Sequence, residues 1–131
     1  METVHVPEDD DAIRALSALR DELDACAAQL EQAGKRAETL LHARRAGLTW
    51  EEIVAAEERP LIVEQISRVL STLSTAGAAW RREQAAALQA EHVSINRIAA
   101  MFGVTRQRIS ALLREAGEQE TQPGSTPGDQ P

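Results

Sequence analysis

Aromatic residues are nearly absent from this chain: one phenylalanine, two tryptophans and no tyrosine in 131 residues. With so few aromatic and β-branched positions, a β-sandwich or barrel core has little to build with, and the alanine-rich remainder favours helices. A single cysteine, Cys26, excludes an intramolecular disulfide and fits a reducing compartment. No apolar run approaches the roughly 20 residues that a membrane helix needs. The opening METVHVPEDDD is acidic and lacks the basic-then-apolar order of a secretory signal, so a cytoplasmic, nucleoid-associated protein is expected, with no membrane partner.

Catalytic and metal-binding patterns are also missing. His5, His42 and His92 are far apart, and Cys26 has no histidine or cysteine at ligand spacing. There is no Gly-rich phosphate loop, nucleotide fingerprint or Ser/His/Asp arrangement. Glu51/Glu52 and Glu57/Glu58 read as a solvated helix face. No enzyme activity, cofactor or metal is expected.

What is present is helical periodicity. Leu16, Leu19, Leu23, Cys26, Leu30, Ala33, Ala37 and Leu40 alternate by threes and fours, an a/d seam over about four heptads. Asp9, Asp10 and Asp11 suit the start of that helix, and Gly47 its end. Thr49 with Glu52 makes a capping box for a short helix near 49–58. A second long helix follows Pro60, with Ile62, Ile66, Val69, Leu73, Ala76, Trp80 and Ala87 in phase. The two long helices, about 16–46 and 61–91, are expected to form an antiparallel coiled-coil-like hairpin. The expected organisation is therefore all-α: disordered 1–8, a helical hairpin over 9–91, a helix-turn-helix over 92–117 and a disordered tail over 118–131.

The segment SINRIAAMFGVTRQRISALLREAG, from Ser94, carries the most specific pattern. Ile98 and Phe102 lie one turn apart and should face inward. Ala99 lets another helix come close. Gly103 takes φ > 0 without penalty and reverses the chain. Val104 is expected to plug the corner and Thr105 to cap the next helix, from which Ile109 and Leu112 point back. Outward positions are Arg106, Gln107, Arg108 and Ser110, residue types that contact bases and phosphates.

Residues 92–116 resemble the DNA-binding helix-turn-helix of bacterial transcriptional regulators, resolvases and sigma-factor-like modules. The resemblance covers about a fifth of the chain and implies double-stranded DNA as partner. It makes the helix from about Thr105 to Arg114 the recognition helix and that from about Ser94 to Met101 its support. Arg106 and Gln107 become base-contact candidates, Arg108 and Arg114 phosphate clamps. Thr105, Ser110 and Arg97 are additional contacts.

Charge distribution bears on that expectation. The net charge is −7, yet residues 91–117 carry four arginines against Glu91 and Glu115, a balance of +2. Residues 1–46, 47–90 and 118–131 carry −4, −2 and −3. Screening over about 8–10 Å makes the local balance matter most. A balance of +2 is small for a lone module, which points to a homodimer or a helical protein partner. The competing expectation is a helical interaction module with an auxiliary helix-turn-helix.

An internal echo links GLTWEEIVAAEERPLIVEQISRVL to HVSINRIAAMFGVTRQRISALL. Ile53 matches Ile98 and Ile66-Ser67 matches Ile109-Ser110, but Glu57, Glu58, Arg59 and Pro60 stand where the turn should be.

Overall fold

A computed structural model describes residues 10–121, with side chains to Glu118. The segment 1–8 and the tail beyond Thr121 lie outside the described residues. The protein is all-helical: α1 Asp11–Arg45, α2 Trp50–Ala56, α3 Ile62–Ala90, α4 Ile95–Phe102 and α5 Arg106–Thr121. No strand occurs among the described residues. The described residues divide into two compact units, Ser17–Gly77 and a second built from the start of α1 together with α3 from Ala78, α4 and α5.

In the Ser17–Gly77 unit, α1 and α3 meet over small residues. Cys26 and Ala33 are buried on α1 and Val69 on α3, and the Cys26 Sγ lies 3.9 Å from the Val69 carbonyl oxygen. The heptad seam is only half used. Leu19, Cys26, Ala33 and Leu40, seven apart, turn inward, whereas Leu16, Leu23 and Leu30 are exposed. At the middle of that line the small Cys26 and Ala33 let the two backbones come close, with large Leu19 and Leu40 at its ends.

Beside that contact, Arg36 holds three segments together. Its guanidinium donates to Gln65 Oε1 at 3.2 Å, to the Glu58 carbonyl at 2.9 Å and to Glu57 Oε2 at 3.4 Å. Glu57 Oε2 also accepts the Ile62 N–H at 2.8 Å, and Glu64 Oε1 accepts the Leu61 N–H at 2.7 Å. The otherwise unpaired donors at the start of α3 are thus met by two carboxylates. This corrects the expectation of a solvated Glu57/Glu58 face: the Glu57 side chain is only 13% exposed because it is both ion-paired and capping.

One three-residue device recurs at helix joints. A residue in left-handed backbone is followed by an aliphatic residue, then by Ser or Thr. At Gly47-Leu48-Thr49 the Leu48 N–H reaches back to Ala43 O at 3.1 Å, and Thr49 Oγ1 accepts the Glu52 N–H at 3.1 Å. At His92-Val93-Ser94 the Val93 N–H reaches Leu88 O at 3.0 Å, and Ser94 Oγ accepts the Arg97 N–H at 3.1 Å. At Gly103-Val104-Thr105 the Val104 N–H reaches Ala99 O at 3.0 Å, and Thr105 Oγ1 accepts the Arg108 N–H at 3.1 Å. Each joint stops one helix with a reversed bond and starts the next with a side-chain cap.

The second unit packs around the last of these joints. Ala85 of α3, Ile98 and Ala99 of α4, and Ile109 and Leu112 of α5 form its buried core. Leu88, Val93, Ile95, Phe102 and Leu113 close around them. Two details differ from expectation. Val104 is 41% exposed, so it does not plug the corner; its backbone N–H, not its side chain, closes the turn. Gly117 does not end α5, which runs on to Thr121. Glycine weakens a helix without stopping it, and the buried Ala116 beside it keeps that turn packed.

Candidate nucleic-acid interface

The geometry of the corner starts with its two helix ends. α4 stops at Gly103, which has φ 69° and ψ 33°. A Cβ there would meet nothing within 4 Å, so glycine is required by backbone conformation alone and not by crowding. Ile98, Ala99, Ile109 and Leu112 then hold α5 against α4 by their buried faces. Phe102, half-buried, lies against this core, and the Arg81 guanidinium sits 4.2 Å from its ring centroid.

With those positions inward, one side of α5 is left open. Arg106, Gln107, Ser110 and Arg114 line a single shallow depression of about 420 Å³. Of these, Ser110 is half-buried and the other three are exposed. Arg108 is exposed but does not line that depression, and Arg97 is exposed on α4. The structure therefore groups four of the seven residues singled out from sequence and leaves Arg97 and Arg108 apart from them. Thr105 has a structural task already: its oxygen caps α5 by accepting the Arg108 N–H, which leaves its hydroxyl proton and one lone pair for other contacts.

Electrostatics separate α4 and α5 from the other three helices. α1, α2 and α3 each carry an acid in the first turn (Asp11, Glu51 and Glu52, Glu64) that compensates the positive end of the helix. Neither α4 nor α5 has one. Among the described residues no ion pair engages Arg97, Arg106, Arg108 or Arg114, whereas Arg14, Arg36 and Arg59 are each paired to a carboxylate. An uncompensated helix start beside unpaired guanidinium groups favours an anion.

A second concavity, about 320 Å³, opens in the Ser17–Gly77 unit. Leu40, Ala43, Leu48, Ile53 and Ala56 line it, with Arg36 and Glu57 already committed to each other at its edge. Among the described residues no three His, Cys, Asp or Glu side chains come together as a metal site, and no helix is long and apolar enough to cross a membrane.

The internal echo holds at its first half only. Ile53 and Ile98 are both buried four residues after a capping Thr or Ser. Beyond that, Ile109 is buried but Ile66 is exposed, and α2 ends at Glu57 in extended backbone instead of a left-handed turn. No protein-family model, curated protein or solved structure matches this chain.

Proposed function

We propose that the chain binds double-stranded DNA through α4 and α5, with α5 lying in the major groove, and that it acts as a dimeric, sequence-specific transcriptional regulator. The observation that carries this reading is that Arg106, Gln107 and Arg114 are exposed around a half-buried Ser110 on one side of α5 while the opposite side is buried. Arg106 and Gln107 stand in the first turn, the part of a recognition helix that reaches base edges. Arginine reads guanine and glutamine reads adenine through paired hydrogen bonds. Arg114, two turns further along, and Arg97 at the start of α4 contact phosphates, and Arg108 adds charge at the same end. Dimerisation doubles a small local charge and presents two reading helices about 34 Å apart. Such a protein would work at the nucleoid.

The acidic balance of −7 favours a second reading, a helical adaptor whose α4–α5 corner assists a partner's DNA contact. A gel shift against random-sequence duplex at low salt separates the two. Retention that falls steeply as salt rises supports direct binding, because displaced counterions drive it. Absence of retention at every salt concentration supports the adaptor.

A further inference from the structure

The Gly47-Leu48-Thr49 joint brings α2 beside the C-terminal part of α1, and the Leu48 N–H closes it on Ala43 O. The concavity of about 320 Å³ opens between the two helices and the joint. Its apolar lining has a local origin. Thr49 caps α2, which sets Ile53 four residues later on the inward side, where it is buried. Leu40 and Ala43, three apart on α1, share a face and are half-buried. Leu48 and Ala56 complete the lining. Two of these five residues are alanines, and their short side chains leave room that larger ones would fill.

The charges at the edge already satisfy each other. Arg36 donates to Gln65, to the Glu58 carbonyl and to the Glu57 carboxylate, and Glu57 also accepts the Ile62 N–H. Glu58 is itself exposed. A charged ligand entering among the apolar side chains would shed its water with no free counter-charge to replace it, which is costly. One polar atom on the lining differs. Thr39 Oγ1 gives its proton to the Lys35 carbonyl at 3.1 Å, so what it offers a ligand is an acceptor oxygen. That suits an uncharged donor such as a hydroxyl.

We propose that this concavity binds a small uncharged apolar molecule carrying one hydroxyl group, an aliphatic alcohol or a phenol. Its size, its apolar lining and its single convergent acceptor are those of a small-ligand site. The apolar body rests on Leu40, Ala43, Leu48, Ile53 and Ala56, and the hydroxyl donates to Thr39 Oγ1. Occupancy bears on α3 as well, because Glu57 at the edge is the residue that caps the Ile62 amide.

The test does not depend on DNA. Three probes share a six-carbon body and differ in charge at neutral pH: 1-hexanol, hexanoate and hexylammonium. Each is titrated into the full chain and followed by methyl NMR. Hexanol should move the methyl signals of Leu40, Ala43, Leu48 and Ile53 saturably and slow hydrogen exchange at the Ile62 amide. The two ions should bind at least about tenfold more weakly. Ala43→Leu should weaken hexanol about tenfold or more by filling the space. Ala56→Leu, at an exposed position, serves if the first variant does not fold. Thr39→Val should weaken hexanol about two- to tenfold, the loss of one hydrogen bond. Absence of saturable shifts, an ion that binds as tightly as the alcohol, or leucine variants that bind hexanol as the parent does overturns the proposal. A Thr39→Val variant that binds as the parent does overturns the assignment of the hydroxyl. A chain that takes hexanol but fails to retain DNA leaves the site standing and counts only against the DNA reading.

Discussion

Gly103 and Thr105 stand two residues apart and between them fix where α5 begins: Gly103 turns the backbone left-handed at φ 69°, and Thr105 Oγ1 accepts the Arg108 N–H at 3.1 Å. Arg106, the first residue of α5, takes its direction from both. The direction of that arginine is therefore a property of the turn, which makes the turn the first place to perturb.

Gly103→Ala should destabilise the protein by about 1–2 kcal/mol, the cost of putting a Cβ into left-handed backbone. Since the space around it is empty, Gly103→Val should cost more only through β-branching. His92 occupies the same backbone region at the end of α3, also with φ 69°. His92→Gly should act in the opposite sense, raising stability by roughly 0.5–1 kcal/mol. Urea denaturation followed by circular dichroism checks all three; equal stability of Gly103→Val and the parent contradicts the turn.

Ser94→Ala and Thr105→Ala should each cost about 0.5–2 kcal/mol, the range for losing an N-cap. Asp at either position should recover most of the loss, since its carboxylate accepts the same N–H. Hydrogen exchange at the Arg97 and Arg108 amides reports each cap separately: the amide that loses its acceptor exchanges faster, and the other does not.

Ile98→Ala or Ile109→Ala should destabilise by about 2–5 kcal/mol, because both are fully buried in a small core with few neighbours able to collapse into the gap. Val104→Ala should cost under about 0.5 kcal/mol, as befits an exposed side chain. Thermal melts distinguish this ranking from one in which Val104 seals the corner.

Glu64 gives a pH-dependent signature. Its carboxylate accepts the Leu61 N–H, with Arg59 and Arg68 nearby, and this hydrogen bond, more than the charges, holds its pKa below the ordinary glutamate value. A carboxyl whose folded pKa is lowered adds stability above its unfolded pKa and loses it as pH falls through the folded one. Melting temperature should therefore decline with acidification below the usual glutamate range. Glu64→Gln should lose stability at neutral pH and show a shallower decline.

How much of this could be read from residues alone follows from what spacing encodes. Thr49, Ser94, Thr105 and Gly103 act locally, within four residues, and their roles as caps and turn are visible in sequence and in the structure alike. The heptad spacing of α1 identifies a stripe but not which line of it a neighbour touches; the contact with α3 runs along the Cys26 line and leaves Leu23 and Leu30 outside. Glu57 reads as solvated because its partner Arg36 is 21 residues away. Capping of α3 by a carboxylate five residues upstream of Ile62 has no fixed signature either. Of the seven residues singled out from sequence for DNA contact, Arg106, Gln107, Ser110 and Arg114 share one depression on the open side of α5, and Thr105 caps that helix. Arg97 and Arg108 required the turn geometry to be placed.

The central claim is that the open side of α5 reads DNA, and the most direct measurement is affinity for a duplex selected from a random library, parent against Arg106→Ala, across a salt series. The account predicts a loss of about 1–3 kcal/mol with relaxed preference at one base position, the cost of a missing bidentate contact, and unchanged helicity. A chain that selects no sequence and is not retained at low salt, or an Arg106→Ala variant that binds its site as the parent does, contradicts it.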